Sequence, residues 1–183
     1  MVLEIYNPVG LSFEDYVAIS QCARTLSDGY DQKDKVRVRA ALASHVTVDY
    51  SKVVPAWGSK EFQAETFVDE WLGPSHLGIQ ALATQHLLGA PYFMSVSQDM
   101  IIVEWQQLAS HGRRIDGEDF ANPMCKIGES SDGRSWMQQT YTKVNGQWRI
   151  SVIRPEVIYH TGNFLEVGRA DGAPAGGAQS RSG

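Results

Sequence analysis

The sequence predicts an α+β fold: a cone-shaped barrel made of a curved, mostly antiparallel sheet, with N-terminal helices covering a central pocket. Three observations predict it. Apolar residues recur at three- and four-residue intervals early in the chain, short alternating apolar and polar runs dominate from residue 83 onward, and Asn145-Gly146 stands between two of those runs. Helices gathered ahead of antiparallel strands make α+β rather than a parallel α/β sheet, and a strongly curved sheet under helices encloses a pocket.

The first helix is predicted over 12–30. Ser12 is its N-cap, Glu14 and Asp15 lie in its first turn, and Phe13, Tyr16 or Val17, Ile19, Ala23, Leu26 and Tyr30 form its apolar stripe. A second, short helix fits 34–43. The β-branched run from Val46 to Tyr50 then switches the period to two, which places Val46, Val48 and Tyr50 on one face of a strand. A third helix is predicted from Ser59-Lys60-Glu61 through Phe62, Phe67, Val68, Trp71 and Leu72 to the stop at Gly73-Pro74. Strands follow over 84–90, 92–97, 100–111, 134–144 and 147–154. Asn145-Gly146 accepts the positive φ values of a type I′ hairpin turn, so the last two strands are antiparallel neighbours.

With 183 residues and 43% hydrophobic content the chain is long enough for one cored domain, assigned to 1–167. After Gly168 the sequence is Ala, Gly, Ser and Pro with little apolar bulk, so 168–183 is expected to be a disordered tail. The formal charge of -5, with lysines and arginines interspersed among acids, argues against a nucleic-acid partner. No apolar stretch is long enough to span a membrane, and no leader is evident at the N-terminus, so a soluble cytoplasmic protein is expected. Cys22 and Cys125 lack the close repeated spacing of zinc or disulfide frameworks and are read as free thiols.

Strand parity singles out the candidate chemistry. Ile101, Val103, Trp105, Gln107, Ala109 and His111 share the inward row of their strand, and Thr84, His86 and Leu88 share a face of theirs. Each histidine alone fits a hydrogen-bonded core residue as well as a proton-transfer group. Asp31, after Tyr30 at a helix end, fits either a solvated terminus or a carboxylate that orients His111. Tyr50 fits either the core or a pocket wall. His45, His76 and His160 have no spacing that joins them to a site. A metal centre is not predicted, because the His-x-Asp spacing of iron-binding facial triads is missing. Neither a nucleophile elbow nor a phosphate-binding glycine loop occurs, so no bound nucleotide is implied.

These residues fall into a known order. Phe13-x-x-Tyr16, Tyr30-Asp31-x-Lys33-Asp34, Asp49-Tyr50, Thr84-Gln85-His86 and Asn145-Gly146-x-Trp148 come in the order and spacing of scytalone dehydratases, and Arg154-Pro155-Glu156 resembles that family's Lys-Pro-Asp. The resemblance covers about residues 12–165. It implies a fold like that of nuclear transport factor 2, a homotrimer, and cofactor-free dehydration of a small-molecule, hydroxylated, partly reduced aromatic polyketide in fungal secondary metabolism. By the same resemblance, Tyr30 and Tyr50 hold a water against the substrate carbonyl, Asp31 pairs with His111, His86 stands across the pocket, and Ser135 binds substrate. Met137 occupies the place of a family asparagine, which implies a more apolar wall suited to a larger ring, and Phe164 matches a residue that closes over the ligand. A polyketide cyclase or isomerase and a non-catalytic ligand-binding module are the other functions this architecture admits.

Overall fold

The structure is a computed structural model that describes residues 5–174. Its first helix, α1 (Phe13–Asp31), begins where the Ser12 hydroxyl accepts from the Asp15 backbone N–H. A second helix, α2 (Lys35–Ala41), starts at Asp34, whose carboxylate accepts from the N–H groups of Val36 and Arg37. Between them Lys33 takes a left-handed conformation and donates Nζ to the carbonyls of Leu77 and Leu82 at 2.7 and 2.8 Å. That tether fixes the end of α1, and so Asp31, against the start of a later strand.

Six strands form one sheet: β1 (Leu42–Asp49), β2 (Ser59–Gln63), β3 (Leu82–Val96), β4 (Met100–Arg114), β5 (Ile127–Val144) and β6 (Gln147–Gly162), in the order β2-β1-β6-β5-β4-β3. Every pairing is antiparallel except β1 with β6. Asn145 and Gly146 carry φ of 50° and 78° in the β5–β6 turn, as a type I′ hairpin requires. The sheet curves but does not close, because β2 and β3 remain edges rather than pairing with each other. The cone is therefore an open, curved sheet rather than a barrel.

The segment 59–63 is a strand, not the start of a helix. Ser59 to Gln63 pairs residue by residue with Asp49 back to His45, and helix α3 runs only over Ala64–Trp71. Its amphipathic pattern belongs to α3 alone, and the edge of β1 takes the residues before it. The expected strands 84–90 and 92–97 are one strand, whose register shifts between Leu88 and Pro91. Pro91 is tolerated there because it lies at an irregularity of an edge strand. β5 starts earlier and β6 ends later than expected, since the polar stretch 127–133 is paired on β4 and its last three residues, Ser131 to Gly133, also on β6.

The core forms where α1, through Ile19, Ala23, Leu26 and Tyr30, covers the inner sheet face of Phe93, Ile101, Val103, Trp105, Tyr141, Trp148 and Ile150. A smaller cluster joins Ile79, Ala81 and Leu82 to Val167, in a final short helix α4 (Phe164–Val167). Of the tail expected to be disordered, residues 168–174 are described, and Asp171 is fixed by the backbone N–H groups of Gln80 and Ala81. Residues 175–183 lie outside the described residues. Both cysteines are free thiols. No helix among the described residues is long and apolar enough to cross a membrane.

Candidate active site

Asp31 is the last residue of α1, and the helix lays that end across β3. One carboxylate oxygen, Oδ1, lies 2.7 Å from His86 Nδ1 and accepts from the Thr84 hydroxyl at 3.0 Å, while Oδ2 accepts from the His86 backbone N–H at 2.9 Å. Burial works against the charge on this carboxylate, but the His86 ring, the His86 N–H and the Thr84 hydroxyl outweigh it and hold the carboxyl below its ordinary range. An ionised carboxylate can only accept, so His86 Nδ1 carries a proton, and Nε2 is the ring nitrogen through which the neutral imidazole accepts another.

The expected partnership of Asp31 with His111 is therefore corrected: Asp31 holds His86. The reason is register. Thr84 of β3 stands opposite His111 of β4, so His111 is one strand deeper and the carboxylate meets β3 first. His111 does face the interior, 8% exposed, as parity predicted. Its Nδ1 lies 3.3 Å from the Ser131 carbonyl on β5, which likewise only accepts and so leaves Nε2 unprotonated. Burial first, then the neighbouring His86 and His160, push its pKa down to about 4 against the opposing Ser131 carbonyl and Asp31. His111 is thus neutral at physiological pH. The rings of His86 and His111 meet edge to face at 5.7 Å.

Tyr30 lies edge-on to His86 with ring centroids 5.7 Å apart. Burial, and then the charge Tyr50 would carry, raise its phenol well above the ordinary value; burial alone does the same for Tyr50. Both phenols are held neutral, as hydrogen-bond donors. Tyr50 follows the end of β1 and packs between Trp57 and Trp71, with centroids at 5.8 and 5.2 Å. On β5, Ser135, Met137, Gln139 and Tyr141 share the buried inner face, and Met137 pairs across the ladder with Trp105. Phe164, in α4, stands edge-on to His111 at 5.6 Å.

His160, which the sequence did not connect to a site, belongs beside this cluster. Its ring is edge-on to Phe164 at 5.8 Å and its Nε2 is 2.7 Å from the hydroxyl of Ser131, the residue whose carbonyl faces His111. That adjacency depends on β6 continuing to Gly162, beyond the run where alternation is legible. Two surface recesses, about 220 Å³ beside Arg113 and Arg114 and about 300 Å³ between Lys52, Glu104 and Trp136, include none of Tyr30, Asp31, Tyr50, His86 or His111. Among the described residues no group of three or more His, Cys, Asp or Glu is placed to hold a metal ion. The chemistry open to the cluster is proton abstraction by a carboxylate-backed imidazole beside two neutral phenol donors.

Known proteins match this chain over nearly its whole length. The sequence profile described as scytalone dehydratase matches residues 10–174. The chain is 49% identical over 173 residues to dehydratase cfoI of Aspergillus candidus, a match covering 94% of this chain and 99% of that one. It is 28% identical over 177 residues to the scytalone dehydratase of Colletotrichum orbiculare, covering 96% and 90% of the two chains. Among solved structures, a putative scytalone dehydratase from Novosphingobium aromaticivorans superposes with a TM-score of 0.64 at 17% identity over 88% of this chain and 95% of that one. A hexachlorocyclohexane dehydrochlorinase, LinA type 2, does so with a TM-score of 0.61 at 15% identity over 82% and 89%. At those identities the structural matches bear on the fold.

Proposed function

We propose, since the chain belongs to the scytalone dehydratase family, that it is a cofactor-independent dehydratase acting on a hydroxylated, partly reduced aromatic polyketide. The observation that carries this reading is the Asp31–His86 pair, with both carboxylate oxygens bonded to His86 and the imidazole ring edge-on to Tyr30. In the reaction, His86 Nε2 takes the proton α to the substrate carbonyl, and Asp31 stabilises the imidazolium. The electron pair of that C–H bond forms the new C=C bond as the β C–O bond breaks. The imidazolium returns its proton to the leaving hydroxyl, so one water departs and no proton is gained or lost. Tyr30 and Tyr50 donate, directly or through a held water, to the carbonyl oxygen as negative charge develops there. His111, neutral, offers Nε2 to a substrate hydroxyl rather than a proton.

Ser135 and Met137 form a substrate wall in this reading, and Phe164 covers the site and excludes water. The homotrimer implied by the family resemblance is part of the reading. Exposed Tyr92, Met94 and Trp136 give the sheet an apolar patch of the kind that marks an interface. Incubating the purified protein with scytalone and with larger hydroxylated naphthalenone and anthrone precursors, with mass detection of the loss of one water, tests the activity. Turnover that survives exhaustive chelation and dialysis supports the assignment. Turnover lost on chelation and restored by a metal, or no water loss from any member of the panel, contradicts it.

A further inference from the structure

The C-terminal strap from Asn163 to Asp171 raises a physical question: what holds Phe164 over His111? The front of the strap cannot. Helix α4 has four residues, too few to be stable alone, and Phe164 and Leu165 are 47% and 61% exposed. The strap departs through Gly162, at φ 78°, where a Cβ would fall 2.1 Å from the Ser130 carbonyl oxygen, so only glycine permits that turn.

The rear of the strap is held firmly. Val167 is fully buried in the cluster with Ile79, Ala81 and Leu82. Arg113, 2% exposed, donates Nη1 to the carbonyls of Arg169 at 2.6 Å and Val167 at 3.4 Å, and Nη2 to that of Ala170 at 3.4 Å. The Asp171 carboxylate accepts from the N–H groups of Gln80 and Ala81 at 2.8 and 3.2 Å and lies 3.5 Å from Arg113 Nη2. Arg113 stands two residues beyond His111 on the same inner face of β4, roughly 7 Å along the strand. One strand face thus carries both the buried imidazole and the guanidinium that fastens the segment covering it.

We infer that Arg113 and Asp171 are positioning residues: they anchor the rear of the strap so that Phe164 stays seated over His111, and access to the site is governed by the front of the strap pivoting about this anchor. The inference rests on the proposed site, but its test does not require turnover. Asp171 is substituted in preference to Arg113, because its side chain is 41% exposed while removal of the buried Arg113 endangers folding.

The readout is the rate at which diethylpyrocarbonate modifies His111, resolved by peptide mapping, with exposed His45 as the internal control. Asp171→Ala is expected to raise the His111 rate about tenfold, roughly what losing one charge-assisted hydrogen bond does to a local opening equilibrium. The His45 rate stays unchanged. Phe164→Ala raises the His111 rate as well, and the double variant is no faster than Phe164→Ala alone, because Asp171 acts through Phe164. Asp171→Glu restores part of the protection. A wild-type His111 rate in folded Asp171→Ala, or fully additive rates in the double variant, overturns the inference. Strap-dependent labelling in a protein that dehydrates nothing sustains the anchor and sinks the proposed reaction instead.

Discussion

Asp31 embraces His86 with both carboxylate oxygens, one at the ring Nδ1 and the other at the backbone N–H of the same residue. The double grip fixes the imidazole's tautomer and ties the end of α1 to an edge strand, so the contact proposed for catalysis and a folding contact are the same contact. Mutations here must accordingly be judged on rate and on stability together.

The two phenols are predicted to act on the carbonyl rather than as acids, since burial raises both above their ordinary pKa. Tyr30→Phe and Tyr50→Phe should each lower kcat by about 10²-fold, the scale on which a single donor to a developing oxyanion matters. The pH at which activity falls on the alkaline side should stay where it is in the wild type. Steady-state kinetics across pH checks this, and an alkaline limb displaced by Tyr30→Phe would mean that the phenol itself gives up a proton.

His111 makes stability depend on pH in a defined window. Its folded pKa of about 4 lies below the ordinary 6.5, so between those values the unfolded chain binds the extra proton and stability rises with pH. The contribution is fully present above 6.5, is lost as pH falls toward 4, and amounts to roughly 3 kcal/mol. Denaturant unfolding of wild type and His111→Asn from pH 4 to 7 should show a gentler slope for the variant. Equal slopes would place the titration elsewhere. Asp31, held below its ordinary value, adds stability that disappears only at more acidic pH, through its folded pKa.

Met137 stands opposite Trp105 on the inner face. By the family resemblance it stands where a hydrogen-bonding amide is expected, and it offers a flexible apolar chain instead. Scytalone is therefore expected to be a poorer substrate than a larger ring system, and Met137→Asn should shift the kcat/KM ratio between the two toward scytalone. Competition assays with both substrates check it. A wild-type preference for scytalone with kcat near or above about 10 per second would contradict the role given to this wall.

Much of this was legible in the sequence, and the parts that were not have common causes. Local signals carried well: Ser12 caps α1, Asn145-Gly146 makes the hairpin, and parity turns His111 inward. What failed depended on which strands lie side by side. The residue that Asp31 meets is decided by where α1 ends on the sheet, and β3 lies ahead of β4 there. Strand β2 is specified by its pairing to β1, and the place of His160 by a β6 that continues past the point where alternation fades. The hold on residues 168–174 comes from Arg113 and from the Gln80 and Ala81 N–H groups, which no composition reading of the tail contains.

The most direct test of the central claim, that Asp31 and His86 act as one base, is the kcat of Asp31→Asn, His86→Ala and their double variant, measured on protein shown to be folded. The account predicts that each single variant loses about 10²–10⁴-fold, that the double is little worse than the worse single, and that Asp31→Asn combined with His111→Ala shows no such saturation. Additive losses for Asp31 with His86, alongside saturation for Asp31 with His111, would contradict it.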